Sequence, residues 1–289
     1  MINADFKYFI IFFEYENKEV SEVKKCILIV LFVLAILILS PVISCADKVN
    51  SDYWKEIKPG DELIFGRFMQ NEDGLDLTPV EWVVLERKKN QITVLSIKNL
   101  EALPFHDVFG GAYWSKCSLR KWLNNEFLNT AFTREEQNAI VSASRKCRVL
   151  RTSKTISSKE KVFLLSDSEA ARYFCTKHSY AGNVLAEWDA SDYEFVDLTK
   201  GYYRAYDTAY ANRVIKYSSL KLSDDSTKRW WTRTPDYSEF YPTVTGSTDT
   251  NFRIDWESCT DGYGVRPAIV IDLNKIKNSD LLEIKKKTK

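Results

Sequence analysis

The sequence predicts a single α+β domain with an antiparallel sheet and a helical pair. Residues 117–140 carry apolar side chains at helical spacing, in two segments joined by a polar corner. Residues 80–97 form two β-rich runs around a polar turn, which is the pattern of an antiparallel hairpin. Further short β-rich runs, separated by Gly, Pro and Asp, follow residue 229. No internal repeat or change in composition divides these elements into two domains.

Residues 1–45 are predicted to be an export segment. Lys24 and Lys25 precede thirteen apolar residues, 27–39, and a Ser-Pro pair ends the run. A basic start and a short apolar stretch are typical of a signal peptide, and the run is shorter than the roughly 20 residues that span a bilayer. Residues 42–45, Val-Ile-Ser-Cys, resemble a bacterial lipobox, in which Cys45 becomes the lipid-modified first residue.

Two other outcomes stay open for this segment: ordinary cleavage after Ala46, and an uncleaved anchor. Residues 1–22 fit poorly before a signal, because the first region of a signal is short and basic, whereas this one is long and partly acidic. We hypothesise that translation begins nearer Val20 or Val23. N-terminal mapping of the unprocessed protein that finds the first methionine would reject this. The predicted location is the extracytoplasmic face of a bacterial cell membrane, through a lipid anchor.

The mature chain is predicted to consist of a polar tether (46–57), one domain (58–274) and a frayed basic tail (275–289). A first strand is expected over residues 62–68, after the turn Pro-Gly-Asp at 59–61. The hairpin then pairs residues 80–86 with residues 91–97 across a Lys-Lys-Asn turn.

The helical pair is predicted from an apolar stripe and a cap. Leu119, Trp122, Leu123 and Phe127 recur at helical spacing, with Ser118 as the expected N-cap. The pattern breaks at residues 129–130. A capping box, Thr133-Arg-Glu-Glu136, then begins the second helix, because the side chain of each outer residue can bind the backbone N–H of the other.

The second half of the domain is predicted to alternate loops with short elements. Residues 145–161 are basic and rich in Ser and Thr, which indicates a solvated loop. A strand (161–165), a second capping box (166–169) and a helix follow. Residues 180–217, rich in Tyr, are either a specificity loop or a loop folded on its own rings, with one helical turn at 208–213. The C-terminal strand candidates are residues 229–232, 241–245, 251–256 and 265–273, the last with an edge or bulge at Pro267.

Charge and ligand types exclude several classes of function. Lys+Arg total 41 and Asp+Glu 40, and this net charge of +1 is too small to attract nucleic acid. The two histidines are isolated, no CxxC is present, and the oxygen ligands at 249, 255, 257 and 261 follow no EF-hand pattern. We therefore predict no metal and no cofactor, and calcium bound by these four oxygen ligands is the alternative that stays open. Export would permit disulfides, and the four cysteines of the mature domain allow three pairings that the sequence does not rank: Cys117, Cys147, Cys175 and Cys259.

Several motifs together resemble those of one family, the DUF6273 domain of bacterial exported proteins. The most specific block is CSLRKWLNNEFLNTAF at residues 117–132. The resemblance covers roughly residues 58–274, with Thr234 at a position where the family usually has Ser. It implies no biochemical activity, because none is assigned to the family. The other matching motifs are Gly60-Asp61, Phe65-Gly66-Arg67, Glu81-Trp82, Val84-Leu85, residues 162–166, Trp230-Trp231 with Arg233 and Pro235, and residues 264–268.

A second, remote resemblance concerns the last 45 or so residues of the domain. A tryptophan-led strand followed by an Arg-containing final strand is similar to the C-type-lectin-like domains of formylglycine-generating enzymes. It implies a C-type-lectin-like C-terminal half. The paired active-site cysteines of those enzymes are not recognisable here, since Cys259 stands alone in its segment.

A binding site is predicted where the C-terminal strands would meet. Aromatic faces cover the apolar faces of sugars, while Arg and Asp supply hydrogen bonds. The alternative is that a tryptophan is core and that the arginines pair with nearby aspartates. Adjacent Trp residues on a strand point to opposite faces, so at most one of residues 230–231 faces a given pocket. The candidate binding residues are Trp231, Arg233, Asp255, Trp256 and Arg266.

The function predicted from these observations is a lipid-anchored surface-binding module for a glycan, a peptide or an envelope component. The alternative is an extracytoplasmic enzyme, hydrolase-like, of unassigned reaction; catalysis is the less favoured reading because no GxSxG, HExxH or P-loop motif is present. A structural envelope protein is the third possibility. The membrane, through the N-terminal lipid, and a glycan or peptide ligand are the expected partners.

Overall fold

The computed structural model describes residues 53–149, 152–174, 205–217, 229–235, 240–247, 252–277 and 281–285, which all belong to one compact unit, Lys48–Lys289. The predicted export segment with Cys45, and most of the tyrosine-rich region 180–217, lie outside the described residues. None of the helices in the described ranges combines the length and the apolar character that a bilayer span needs.

The larger sheet contains six antiparallel strands among the described residues, in the order β13-β1-β2-β3-β12-β7. Its centre is the predicted hairpin, which is confirmed: Lys88 pairs with Gln91, and Lys89 takes φ +56° in the turn. The predicted first strand is confirmed as well. The strands are β1 (Glu62–Met69), β2 (Leu77–Lys88), β3 (Gln91–Ser96), β7 (Val162–Phe163), β12 (Ala268–Asp272) and β13 (Glu283–Ile284).

The second sheet has five described strands in the order β10-β9-β8-β11-β4. Strands β8 and β11 pair in parallel at Trp230 and Gly264, and the other neighbours are antiparallel. With the helices below, these sheets confirm the α+β class. The strands are β4 (Glu101–Pro104), β8 (Arg229–Pro235), β9 (Pro242–Ser247), β10 (Phe252–Trp256) and β11 (Gly262–Val265).

The helical pair is present, but it differs from the prediction at two points. The first helix continues past residues 129–130, as α1 (Ser118–Trp122), a π-helical turn (Leu123–Phe127) and α2 (Leu128–Ala131), before α3 (Arg134–Ala139). Its N-cap is Cys117 rather than Ser118, because the Cys117 sulfur accepts the Arg120 N–H at 3.4 Å. The Ser118 hydroxyl instead lies 2.9 Å from Nδ1 of His106.

Both predicted capping boxes are confirmed. Thr133 Oγ1 accepts the Glu136 N–H, and Glu136 Oε2 accepts the Thr133 N–H at 2.7 Å. The other oxygen of Glu136 accepts the Gly66 N–H at 3.2 Å, so this cap also attaches β1 to the helices. Ser166 and Glu169 exchange the same pair of bonds before α4 (Asp167–Phe174).

Three predicted loops or ends are structured. Residues 145–161 are not a solvated loop, since β5 (Ala143–Arg148) pairs with β6 (Thr155–Glu160) in a separate hairpin. The tail is not frayed at residues 283–284, which form the edge strand on β1. Within the predicted tether, Trp54 and Ile57 are buried, because they pack into the same core as the strands.

The predicted last strand is divided around Pro267, which has no N–H to donate to a neighbouring strand. Strand β11 ends at Val265, and β12 begins at Ala268. The predicted helical turn at 208–213 is a longer helix, α5 (Ala209–Tyr217).

One hydrophobic core joins the helices to both sheets. Leu119, Leu123 and Phe127 of the predicted apolar stripe are fully buried, and the Phe127 ring lies 4.9 Å from Phe68 of β1. Trp122 is the exception, because it packs against the core on one side and remains partly exposed on the other. Its exposed side faces the groove described below.

Candidate functional site

Three of the five predicted binding side chains lie in the interior. Trp231, Arg233 and Arg266 are at most 2% exposed. The Trp231 indole N–H donates to the Leu103 carbonyl at 2.8 Å. Trp230, on the opposite face of β8, is buried as well, with its ring centroid 5.2 Å from Cζ of Arg266. The structure therefore does not place these side chains around an open cleft.

The two buried arginines bind groups of the protein itself. Arg233 donates to the Leu164 carbonyl at 2.6 Å and pairs with Glu169. Burial alone would raise the pKa of Glu169, but the hydrogen bond and charge of Arg233 lower it. Burial lowers the pKa of Arg266 to about 9, and its Nε–H donates to the Ser96 carbonyl at 2.8 Å. Arg233 thus has a carboxylate partner, but that partner comes from α4 and not from the C-terminal aspartates.

The remaining predicted residues are Trp256 and Asp255. Trp256 ends β10 and is partly buried, and the side chain of Asp255 lies outside the described residues. A role for either residue in ligand binding stays a prediction.

An open groove of about 290 Å³ lies between the start of α1 and the end of β4. Its apolar lining residues are Leu103, Pro104, Leu119 and Trp122. Carboxylates, an ammonium group and a hydroxyl also line the groove, so it offers both a ring face and hydrogen-bonding groups to a small polar ligand. The full lining is Leu103, Pro104, Asp107, Ser118, Leu119, Lys121, Trp122 and Glu126.

Ser118, the serine in the groove lining, lies at the start of α1 and contacts His106. Ser118 Oγ lies 2.9 Å from His106 Nδ1 and accepts the Asp107 N–H at 3.3 Å. The Ser118 N–H donates to the same His106 nitrogen, and the next two N–H groups donate to the Phe105 carbonyl and the Cys117 sulfur. The helix start therefore has no unused donor in its first turn for an oxyanion.

An exposed apolar cluster adjoins the groove along the chain. It consists of Val108 and Phe109, which follow Asp107 of the groove rim, and of Phe240 and Tyr241. We call these four residues the aromatic knob. Their side chains are 61%, 59%, 37% and 41% exposed, and the Phe109 ring centroid lies 4.7 Å from that of Phe240 and 6.1 Å from that of Tyr241.

Cys259 holds the two loops of the aromatic knob together. Its N–H donates to the Phe240 carbonyl at 3.0 Å, and its carbonyl accepts the His106 N–H at 2.9 Å. Its sulfur lies 3.5 Å from the Val108 carbonyl oxygen. Gly110, at φ +104°, leaves room for the Phe240 ring, which would lie 2.9 Å from any Cβ at that position.

One protein family matches the part of the chain that contains the groove and the aromatic knob. The family described as "Domain of unknown function (DUF6273)" matches residues 87–273, well over half of the chain. The chain belongs to the DUF6273 family. No curated protein and no solved structure matches it significantly. The match begins within β2, so the groove and the aromatic knob lie inside the DUF6273 region, whereas the motifs at 60–67 and 81–85 precede it.

The cysteines that the structure describes in this DUF6273 protein, Cys117, Cys147 and Cys259, are buried. Burial raises the pKa of Cys117 to about 12 and that of Cys147 to about 11, and it also raises the pKa of Cys259. These thiols stay protonated at neutral pH and are therefore poor nucleophiles. Cys175 lies outside the described residues. Within the described ranges, no three His, Cys, Asp or Glu side chains form a group that could hold a metal ion.

Two carboxyl groups lie where residues 205–217 of the DUF6273 domain meet the start of β4. Asn99 Nδ2 donates to Asp207 Oδ1 at 2.7 Å, and Glu101 Oε1 accepts the Ala102 N–H at 3.0 Å. Burial raises the pKa of Asp207 from 3.8 to about 7 and that of Glu101 from 4.5 to about 7. These two acids were not singled out from the sequence, because nothing local to them predicts their burial.

We expect the thermal midpoint of unfolding to fall as the pH rises from about 4 to about 7, and then to level off. In this interval the folded carboxyls keep their protons, whereas those of the unfolded chain lose them, so proton release favours unfolding. Circular dichroism melts across this range would measure the effect. The double variant Asp207→Asn with Glu101→Gln should make this fall smaller, leaving the part due to buried Asp167, whose pKa burial raises to about 6, whereas Glu135→Gln at an exposed position of α3 should not. An unchanged slope in the double variant would contradict the assignment.

Proposed function

We propose that this protein is an exported, lipid-anchored surface-binding module, and that the groove at the start of α1 takes its ligand, a glycan, a peptide or an envelope component. The groove itself carries the proposal: it presents the partly exposed ring of Trp122 beside Asp107, Lys121 and Glu126 in a space of about 290 Å³. A ring face with flanking charges suits a ligand that has both apolar faces and hydroxyl or amide groups.

Binding is favoured over nucleophilic catalysis for this groove. The described cysteines are buried, and the N–H groups of the first turn of α1 already have acceptors. An acyl-transfer site needs a free nucleophile and preorganised donors for the oxyanion. The C-type-lectin-like character of the C-terminal half is part of the proposal, and it is supported by the tryptophan-led strand β8 beside β11.

One observation supports the alternative, an extracytoplasmic hydrolase. Asp107 and Glu126 both line the groove, and two carboxylates on either side of a bond are what glycoside hydrolysis requires. A third possibility, a purely structural envelope protein, gives no reason for an open groove with charged side chains.

The variant Trp122→Ala should lower retention on isolated cell-wall fractions about tenfold or more, because it removes the ring that would stack on the ligand. The measurement is the bound fraction of purified protein at increasing amounts of wall material. Tyr206→Ala is the matched control, since Tyr206 is an exposed aromatic residue outside the groove. Equal retention of wild type and Trp122→Ala would contradict the proposal. Release of soluble sugar that Asp107→Asn or Glu126→Gln abolishes would instead establish the hydrolase.

Replacing Cys45 by serine should release the protein from membranes and remove acyl labelling, because a serine has no thiol to receive the lipid. The measurement is metabolic labelling with a fatty acid, followed by fractionation of the cells. Cys26→Ser is the control, since this cysteine lies within the predicted signal. A Cys45→Ser protein that is retained as well as the wild type, with no acyl label on either, would count against lipid anchoring.

A further inference from the structure

The aromatic knob combines three exposed rings that contact one another with Val108, which precedes Phe109 in the chain. Leu75, Leu77 and Tyr206 are also exposed, but they lie elsewhere in the chain, with Leu77 as the first residue of β2. The three rings of the knob pack on one another, with centroids 4.7 to 6.4 Å apart. Contiguous exposed apolar groups mark interaction sites in soluble domains.

The ring geometry favours an apolar partner over a sugar. A platform for sugar rings would present coplanar aromatic faces to solvent. In the knob, the Phe109 and Phe240 rings are tilted by 30°, but Tyr241 stands at 82° to Phe109 and at 59° to Phe240, and aliphatic Val108 extends the apolar surface. The hydroxyl of Tyr241 is the single polar side-chain group among these four residues. The knob is therefore a compact apolar projection and not a flat stacking surface.

The knob is also held in a fixed position. Its two loops are joined through the backbone of Cys259. Phe240 packs over Gly110, where a Cβ would lie only 2.9 Å from its ring. A surface held in this way loses little conformational freedom when it binds.

Two exposed lysines lie near the Tyr113 end of the segment 105–116. Lys116 belongs to this segment, and Lys154, from the β5–β6 hairpin, has its Nζ 4.3 Å from the centroid of the Tyr113 ring. Aromatic residues next to lysines are typical of protein surfaces that rest in the headgroup layer of a bilayer. Lysines near the surface add attraction to anionic lipids.

We propose that the aromatic knob inserts into the headgroup and upper acyl layer of the membrane to which the protein is anchored, while the groove remains free for its ligand. The length of the chain supports a lipid partner: seven residues, 46–52, separate Cys45 from the first described residue. Seven residues reach at most about 25 Å. The proposal depends on the proposed lipid anchor at Cys45 only because that anchor would keep the domain near the bilayer.

The test is photolabelling of the full-length protein in vesicles of phosphatidylcholine and phosphatidylglycerol that contain a photoactivatable lipid. Peptides would then be mapped by mass spectrometry. We expect label on the peptides with residues 108–109 and 240–241, at about fivefold or more over the peptide with Leu75 and Leu77, which are equally apolar and exposed. The double variant Phe109→Ser with Phe240→Ser should lose this label, and its melting temperature shows whether it is folded.

Equal labelling of all three peptides, or no label on the knob, would overturn the proposal. Crosslinking of the knob to a protein rather than to lipid in cells would overturn it as well. The same labelling with Cys45→Ser separates the two proposals, because knob labelling that persists without acylation supports insertion even where anchoring fails. Loss of knob label in Phe109→Ser with Phe240→Ser, with Cys45 intact and acylated, supports insertion independently of the groove ligand.

Discussion

Replacing Glu160 by alanine is expected to lower the free energy of unfolding by about 3–5 kcal/mol, the cost of removing one partner from a buried ionic network. Glu160 is 4% exposed and accepts three bonds: from Trp114 Nε1 at 3.0 Å, from Arg120 Nε at 3.1 Å and from Ser158 Oγ at 3.0 Å. Alanine would leave the buried indole N–H without an acceptor and the Arg120 guanidinium without its carboxylate. Urea denaturation would measure the loss.

The matched control for Glu160→Ala is Lys88→Ala. Lys88 pairs with Glu86 at 3.1 Å, but its side chain is 72% exposed, so solvent screening limits the expected loss to less than about 1 kcal/mol. A Glu160 variant that is no less stable than the Lys88 variant would show that Trp114 and Arg120 find other partners, and that the β5–β6 hairpin does not depend on this network.

Gly66→Ala is expected to cost about 3 kcal/mol, from two sources. Gly66 has φ +72°, where a residue with a Cβ is strained by about 1–2 kcal/mol. A Cβ would also lie 2.6 Å from Phe132 and 2.7 Å from the Ala131 carbonyl oxygen, and such overpacking typically costs about 1–3 kcal/mol. The Phe132 ring cannot easily withdraw, because it packs against Phe65 and Trp82.

Gly111→Ala separates the two sources. Gly111 has φ +65°, close to that of Gly66, but no atom lies within 4 Å of a Cβ built there. Gly111→Ala should therefore lower the free energy of unfolding by the backbone contribution alone, about 1 kcal/mol. If the two alanine variants unfold at the same urea concentration, the contact between Gly66 and Phe132 is not tight in solution.

The features that the sequence predicted correctly are those with a local cause. A capping box needs only two side chains three residues apart, and both boxes form as expected at Thr133 and Ser166. The β2–β3 hairpin likewise depends on two adjacent runs and their turn. The N-cap was misassigned because a thiol is an unusual acceptor, and because His106, twelve residues away, draws the Ser118 hydroxyl elsewhere.

The burial of the predicted site residues depends on contacts that are distant in the sequence. Alternation along β8 indicates that Trp230 and Trp231 face opposite sides, but not that both sides are covered, one by Phe105 and Tyr263 and the other by Arg266. The partner of Arg233 is Glu169, 64 residues away in the chain. The sequence indicates the aromatic knob only weakly: Phe109 precedes two glycines in a loop, and the Phe240-Tyr241 pair precedes a proline. Only the fold brings these two loops together.

The pairing of β1 with β13 has a consequence for how the chain reaches its final form. Leu63 and Ile64 bond to residues 283–284, and Lys285 donates to the Glu62 carbonyl, so the sheet closes between nearly the first and nearly the last described residues. A polypeptide is made from its amino end. The outer edge of β1 therefore stays without this partner until the ribosome has made residues 283–285. During that delay it is a template for strands of other nascent copies.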